Sequence, residues 1–275
     1  MNEVRYLGAR RIRELLDRYD VRLKKRLGQN FVIDPNTIRK VVDIARLDPD
    51  HHVLEIGAGA GSLTVALAGA VRRVTAIEID ERMQPILEEV LRGVANVDLH
   101  FEDVKDLDLG SFGATNVVAN LPYNVAAGTV LQVLEQAPEV AEAAVLTQRE
   151  VGERLAAAPG TGAYGLTSVL LAFHGEAEVA GSVSRNAFFP VPRVDSVIVS
   201  VHRRAVPDVD AGSFYAIAKA AFGQRRKTLR QALASLAGSP AKAETALLAA
   251  GIDPSRRAEE IDLAGFVRVA EKWAP

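Results

Sequence analysis

The chain of 275 residues contains no cysteine, which excludes a disulfide framework and any thiolate metal site. Its five histidines, His51, His52, His100, His174 and His202, show no ligand spacing, and no metal is expected. Aromatic residues make up only 5% of the chain, so each one near a motif carries information. No run of about 18 apolar residues occurs, which argues against a membrane span. The N-terminus is charged throughout and lacks the apolar centre of a secretion signal. A cytoplasmic protein without a membrane partner is expected. What is present is ordinary globular composition, 48% hydrophobic and 25% charged, long enough for one large domain and a smaller one.

The net charge of −2 conceals an uneven distribution. Residues 1–30 hold nine Lys/Arg against four Asp/Glu. Residues 219–230 hold Lys219, Arg225, Arg226, Lys227 and Arg230 with no acid. Two basic clusters on a near-neutral chain point to local attraction for a polyanion, although a single such cluster is commonly just a solvated helix face.

The hydrophobic pattern alternates between short strands and helices. Residues 1–27 are basic, with Ile12, Leu15, Leu16 and Tyr19 at helical spacing. Asp34-Pro35 reads as a cap with proline at the first helical position. Short apolar strands are expected at His52–Ile56, Val74–Ile77, Val97–Phe101, Asn116–Ala119 and Ala143–Thr147, with helices between them. Asp80 is expected to cap the helix carrying Met83, Ile86 and Leu87. This rhythm predicts a mainly parallel sheet covered on both faces. Strands at 174–183 and Val197–Val201, separated by Pro190-Val191-Pro192, suggest an antiparallel end to the sheet. From about Asp208 the pattern is helical, broken at Gly238-Ser239-Pro240 and Asp253-Pro254. The expected division is a basic segment at 1–27, a sheet domain at 28–205 and a helical domain at 206–275.

Asn120-Leu121-Pro122-Tyr123 follows the apolar run Val117-Val118-Ala119 at the expected end of a buried strand. A carboxamide, a proline and an aromatic ring suit a flat base with an exocyclic amine. The ring stacks on the base, the Asn oxygen accepts one amine hydrogen, and a carbonyl beside the proline accepts the other. No nucleophile or strong base stands in the segment, so the attacking group is the amine itself. The structural alternative is a strand-ending turn, which Asn and Pro both favour.

A second group lies at other strand ends. Glu55-Ile56-Gly57-Ala58-Gly59-Ala60-Gly61 joins the first strand to its helix, with glycines that permit a sharp turn and a closely approaching ligand. Ser62 stands where a dinucleotide fingerprint has its third glycine. Glu78 ends the next strand 21 positions after Gly57, near the spacing of an acid that accepts from ribose hydroxyls. Asp103 ends the third strand and is placed to accept from an adenine amine. This half does not separate NAD from S-adenosylmethionine, since both contain adenosine. The Asn-Leu-Pro-Tyr segment does: hydride transfer usually needs a proton donor beside the substrate, whereas methyl transfer needs an in-line nucleophile and a held base.

Taken together, these segments resemble the bacterial KsgA family, the ribosomal small-subunit (16S) RNA adenine N6,N6-dimethyltransferases. The resemblance rests on Leu27-Gly28-Gln29-Asn30-Phe31, Val53 to Gly61, Ile77-Glu78-Ile79-Asp80, Asp103, Asn120 to Asn124 and Gln148-Arg149-Glu150-Val151. It also rests on Asn186 to Ser196 and on Phe222 to Leu229, and it spans roughly residues 24–235. It implies a Rossmann-like class I methyltransferase fold with a doubly wound sheet and a small all-helical C-terminal domain. The implied activity is dimethylation of two adjacent adenines in a hairpin loop of small-subunit ribosomal RNA, within an assembling 30S particle. The implied cofactor is S-adenosylmethionine, and a monomer is expected. Asn30, the backbone of Val32, Gly57 and Gly59, Glu78, Asp103 and Asn120 would hold the cofactor. Asn120 and the carbonyl of Leu121 or Pro122 would hold the target N6 amine, Tyr123 would stack on the target base, and Phe188 or its neighbour Phe189 would close the other side. Arg225, Arg226 and Lys227, with Lys24, Lys25 and Arg26, would bind RNA phosphates. The family commonly has proline where Ala58 stands, which is expected to loosen the loop slightly. A large-subunit RNA methyltransferase, a non-catalytic assembly factor with the same fold and a DNA adenine methyltransferase are the competing readings.

Overall fold

The computed structural model describes residues 7–24, 27–122, 125–224 and 226–273. In chain order the elements are α1 (Ala9–Arg18), β1 (Phe31–Val32), α2 (Pro35–Ile44), β2 (His52–Ile56), α3 (Ser62–Ala68), β3 (Arg73–Ile77), α4 (Gln84–Val90) and β4 (Val97–His100). They continue with β5 (Asn116–Asn120), α5 (Ala126–Gln136), β6 (Glu142–Gln148), α6 (Arg149–Leu155), α7 (Leu166–His174), β7 (Gly175–Val183), β8 (Phe188–Phe189) and β9 (Ser196–Arg203). The remainder is helical: α8 (Ala211–Gly223), α9 (Leu229–Ala232), α10 (Ala234–Ala237), α11 (Pro240–Ala249) and α12 (Leu263–Glu271).

The main sheet has seven strands in the order β4-β3-β2-β5-β6-β9-β7. From β4 to β6 all neighbours are parallel, and β9 runs antiparallel to β6. Every residue of β2 and the first four of β5 are buried. That is the reason these strands read as unbroken apolar runs: a parallel strand covered on both faces has no solvent side on which to alternate. The chain leaves β2 toward β3 and β4, then returns to place β5 on the opposite side of β2. The crossovers depart in opposite directions there, so a crevice opens at the carboxyl ends of β2 and β5.

The chain divides into two compact units. Described residues up to Gly152, together with Ala177–Arg203, form one; Glu153–Glu176 and the residues from Arg204 onward form the other. The sequence places 28–205 in a single domain, whereas the structure gives 153–176 to the helical unit. Within that unit the Phe173 and Phe214 rings stack 4.2 Å apart, and the Tyr164 hydroxyl donates to the Ile261 carbonyl at 2.8 Å. These contacts need partners 41 and 97 residues away, which no local pattern announces.

Residues 1–27 are not a separate basic arm in their described part. Ile12 and Leu15 of α1 are fully buried, and Leu16 nearly so, in the core of the sheet unit. Glu89 of α4 accepts from Arg18 at 2.8 Å and from the Tyr19 hydroxyl at 2.7 Å, and it also pairs with Arg11. Two arginines of this helix are thereby engaged in docking it.

Candidate active site at the carboxyl ends of the parallel strands

A cavity of about 230 Å³ opens at the switch point, ample for a small organic molecule when liquid water takes about 30 Å³ per molecule. Its walls come from segments at four strand ends and from the segment that enters β1. They include Gly28 to Phe31, Gly57, Gly59, Glu78, Asp103, Asn120 to Pro122 and Phe188.

The glycine loop is shaped by its neighbours. Gly57 has φ +86°, and a Cβ there would lie 3.0 Å from the Asn120 carbonyl oxygen. Gly59 has φ +56°, and a Cβ there would lie 2.8 Å from the Phe31 ring. A side chain at either position would meet both backbone strain and a close contact. Ala58, where the resemblance leads one to expect proline, donates its N–H to the Ile77 carbonyl at 3.1 Å. Proline has no N–H to make that bond, so alanine ties the loop to β3 in a way proline cannot.

Glu78 follows β3 and is 5% exposed. Its carboxylate accepts from Gly59 N–H at 2.7 Å and from Asp80 N–H at 2.9 Å, one bond on each oxygen. Burial pushes its pKa up, opposed by those two backbone donors. Each ionised oxygen retains acceptor capacity, so the group fits a pair of sugar hydroxyls entering from the cavity. Asp103 is partly exposed on the same wall, and its Oδ1 accepts from Lys105 N–H at 3.1 Å.

Asn120, the last residue of β5, donates from Nδ2 to the Asn30 carbonyl at 2.9 Å. This bond orients the carboxamide and leaves Oδ1 as its acceptor. The Pro122 carbonyl already accepts from Val125 and Ala126 N–H at 3.2 and 3.1 Å, at the start of α5. The Leu121 carbonyl accepts no bond among the described residues. Of the two carbonyls the sequence leaves open, Pro122 is thus the one already engaged.

Phe188 lines the cavity and is 2% exposed. Phe189 faces elsewhere, with the Arg13 guanidinium 4.7 Å above its ring. Both sit on β8, which pairs with β1: Phe31 opposes Phe189 and Val32 opposes Phe188. Val32 belongs to that ladder and is not part of the cavity wall. Tyr123, Lys25, Arg26 and Arg225 lie outside the described residues. Lys24 is partly exposed between α1 and β1, and Arg226 and Lys227 are exposed in the turn between α8 and α9. Among the described residues no group of three His, Asp or Glu is placed to hold a metal, and no helix is long and apolar enough to cross a membrane.

Several residues at the site escape a reading of the sequence alone. Asp80 does not cap the following helix. Its carboxylate instead accepts from Gln29 Nε2 at 2.9 Å and from Arg82 Nε at 2.7 Å. Burial raises its pKa, but the Arg82 and Gln29 hydrogen bonds outweigh this and hold it below the ordinary value. Gln29 stands in the Leu27-to-Phe31 segment, but a polar residue in an irregular segment has no periodicity to flag its partner. Glu55, inside β2, is fully buried, with no hydrogen-bond partner for either carboxyl oxygen among the described residues.

The ribosomal RNA adenine dimethylase model matches residues 21–274. The chain belongs to that family. It is 47% identical over 271 residues to ribosomal RNA small subunit methyltransferase A of Kineococcus radiotolerans, covering 96% of this chain and 90% of that one. The protein of the same name from Thermobifida fusca is 44% identical over 277 residues, covering 98% and 96%. Among solved structures, the 23S rRNA methyltransferase ErmE aligns with TM-score 0.67 and 30% identity over 88% of this chain and 98% of its own. A dimethyladenosine transferase from Plasmodium falciparum aligns with TM-score 0.73 over 86% and 94%; at 22% identity this speaks to the fold alone. As a member of this family the chain is an RNA adenine methyltransferase with the Rossmann-like fold seen in its sheet.

Proposed function

We propose that this protein dimethylates N6 of two adjacent adenines in a hairpin loop of small-subunit ribosomal RNA, using S-adenosylmethionine, as a step in cytoplasmic small-subunit assembly. The observation that carries the reading is the Asn120 carboxamide. Its nitrogen donates to the Asn30 carbonyl, which leaves the oxygen as the acceptor on a residue that lines the same cavity as the glycine loop and Glu78. Relatives at 44–47% identity bear the small-subunit name, and the large-subunit ErmE stands at 30%.

S-adenosylmethionine supplies an electrophilic sulfonium methyl when bound. Glu78 accepts from the cofactor's ribose hydroxyls and Asp103 from its adenine amine, while Gly57 and Gly59 let it approach the backbone. Two acceptors, Asn120 Oδ1 and the Leu121 carbonyl, take the hydrogens of the target amine. Both acceptors pull on the N–H bonds and favour a pyramidal nitrogen whose lone pair is free to attack. Tyr123 and Phe188 hold the base between them. Catalysis is then chiefly positioning and fixed electrostatics. The displaced proton leaves to solvent after transfer, and no side chain has to act as a base. The substrate adenine must be unpaired or flipped out to enter. Arg225, Arg226 and Lys227, with Lys24, Lys25 and Arg26, bind phosphates, and the enzyme works as a monomer on an assembling 30S particle.

Labelled S-adenosylmethionine incubated with immature small subunits, naked small-subunit RNA, large-subunit RNA and DNA tests the assignment. Two methyl groups on each of two adjacent adenines in small-subunit RNA are expected. Label in large-subunit RNA or DNA alone, or in none of the four, overturns it. Asn120→Ala is expected to lower turnover far more than cofactor affinity; equal losses in both contradict the assigned role.

A further inference from the structure

Asn120 meets the target only if its carboxamide is the right way round. A carboxamide presents an acceptor on one arm and a donor on the other. Flipped, it would aim N–H at an amine that itself carries N–H, and the clamp would become a repulsion. The hydrogen bond from Nδ2 to the Asn30 carbonyl sets the correct orientation. Asn30 lies in an irregular segment before the two-residue strand β1, so something must hold that carbonyl still.

The holding contacts are polar and converge on Asp80. Gln29, adjacent to Asn30, donates from Nε2 to Asp80 Oδ2 at 2.9 Å, and its Oε1 accepts from Lys24 N–H at 3.2 Å. Asp80 is 4% exposed, and Arg82 both pairs with it and donates to the Arg22 carbonyl at 2.8 Å. Asp80 N–H in turn donates to Glu78 Oε1 at 2.9 Å. One carboxylate thus ties Gln29 directly, and Arg22 through Arg82, to the end of β3, beside the acid assigned to the cofactor ribose. Asn30 closes the turn by donating from Nδ2 to the Gly28 carbonyl at 2.8 Å, and Gly28, at φ +61°, packs against Pro122.

We infer that Gln29, anchored on Asp80, is a positioning residue that sets the orientation of the Asn120 carboxamide. The inference rests on the base-clamp reading of Asn120. It assigns the Gln29–Asp80 pair a role in the methyl-transfer step, separate from the cofactor contacts of Glu78 and Asp103.

The test is a charge swap in the full-length protein, read by single-turnover methyl transfer to small-subunit RNA and by calorimetric binding of S-adenosylhomocysteine. Gln29→Glu sets two carboxylates against each other. The Gln29→Glu, Asp80→Asn double variant restores a donor–acceptor pair and keeps the acceptor for Lys24 N–H. The single variant is expected to slow transfer about tenfold or more, with the product's Kd within about twofold, and the double variant to recover most of the rate. In an Asn120→Ala background Gln29→Glu is expected to add no further loss, since no carboxamide remains to orient. Gln29→Ala, which removes the contact without adding charge, gives the same readout should the charged variant fail to fold.

Wild-type transfer by both Gln29 variants overturns the inference, as does a loss of affinity equal to the loss of rate, which would make Gln29 a cofactor ligand. Additive losses with Asn120→Ala, or no rescue by the double variant, also overturn it. Normal turnover of Asn120→Ala alone is a different failure: it removes the base-clamp reading and this inference with it.

Discussion

Glu55, the fourth of the five residues of β2, is fully buried, and burial raises its pKa from 4.5 to about 8, with the Thr64 hydroxyl opposing the rise and the nearby Glu78 carboxylate adding to it. At neutral pH the folded protein therefore carries a neutral acid where the unfolded chain carries a carboxylate. Between the two pKa values the native state binds one more proton than the unfolded state. Stability then falls as pH rises, by about 1.4 kcal/mol per pH unit for this group. At pH 7 the accumulated penalty is on the order of 3 kcal/mol; by pH 8 and above it levels off on the order of 5 kcal/mol. Full burial removes the screening that would discount the figure at a surface site. Glu55→Gln abolishes the titration and preserves the shape. The Thr64 hydroxyl beside the carboxyl gives the new amide a polar neighbour. The variant is expected to match the parent near pH 4.5 and to exceed it progressively up to pH 8. Urea unfolding of both proteins at pH 5, 6, 7 and 8.5 measures this directly, because other titrating groups cancel in the difference. Stability curves that run parallel across that range would refute the claim that Glu55 stays protonated in the fold.

Three further outcomes are expected. Gly59→Ala meets both a positive φ and the Phe31 ring, and it should lower unfolding free energy by about 1–3 kcal/mol and weaken S-adenosylhomocysteine binding, as read by thermal melts and calorimetry. Leu15→Ala should cost about 2–5 kcal/mol in denaturant unfolding, because α1 is part of the core; a free basic arm would tolerate it. Arg226→Ala with Lys227→Ala should weaken RNA binding and reduce the slope of log affinity against log salt by about one per lost phosphate contact, leaving the melting temperature unchanged; an unaltered slope removes these residues from the RNA surface.

The strands of the main sheet were legible because burial on both faces leaves a continuous apolar run, and His52–Ile56 coincides with β2 at both ends. The positions that line the cavity were legible for a related reason. In a parallel sheet the ligand-facing residues follow the strands, so Gly57, Glu78, Asp103 and Asn120 announce themselves by position. The helical excursion at 153–176 was not legible. An apolar stretch such as Leu166–His174 carries no mark of which core it joins. Nor was the pairing of Phe31–Val32 with Phe188–Phe189, since two-residue strands have no period to detect. Asp80 illustrates a competing rule: an acid just before a helix ordinarily caps it, but here Gln29 and Arg82 offer that carboxylate better partners.

The amino-acid sequence by itself determined the order of strands and helices, the glycines and acids at the strand ends and the Asn-Leu-Pro-Tyr segment, because these depend on local pattern and spacing. Tertiary structure alone decided that α1 belongs to the core, that Pro122 has spent its carbonyl on the start of α5, and that the Asn120 nitrogen is held by Asn30. Each of those outcomes turns on the direction of a single donor or acceptor, or on a partner tens of residues away, and only the assembled fold brings such groups within bonding distance.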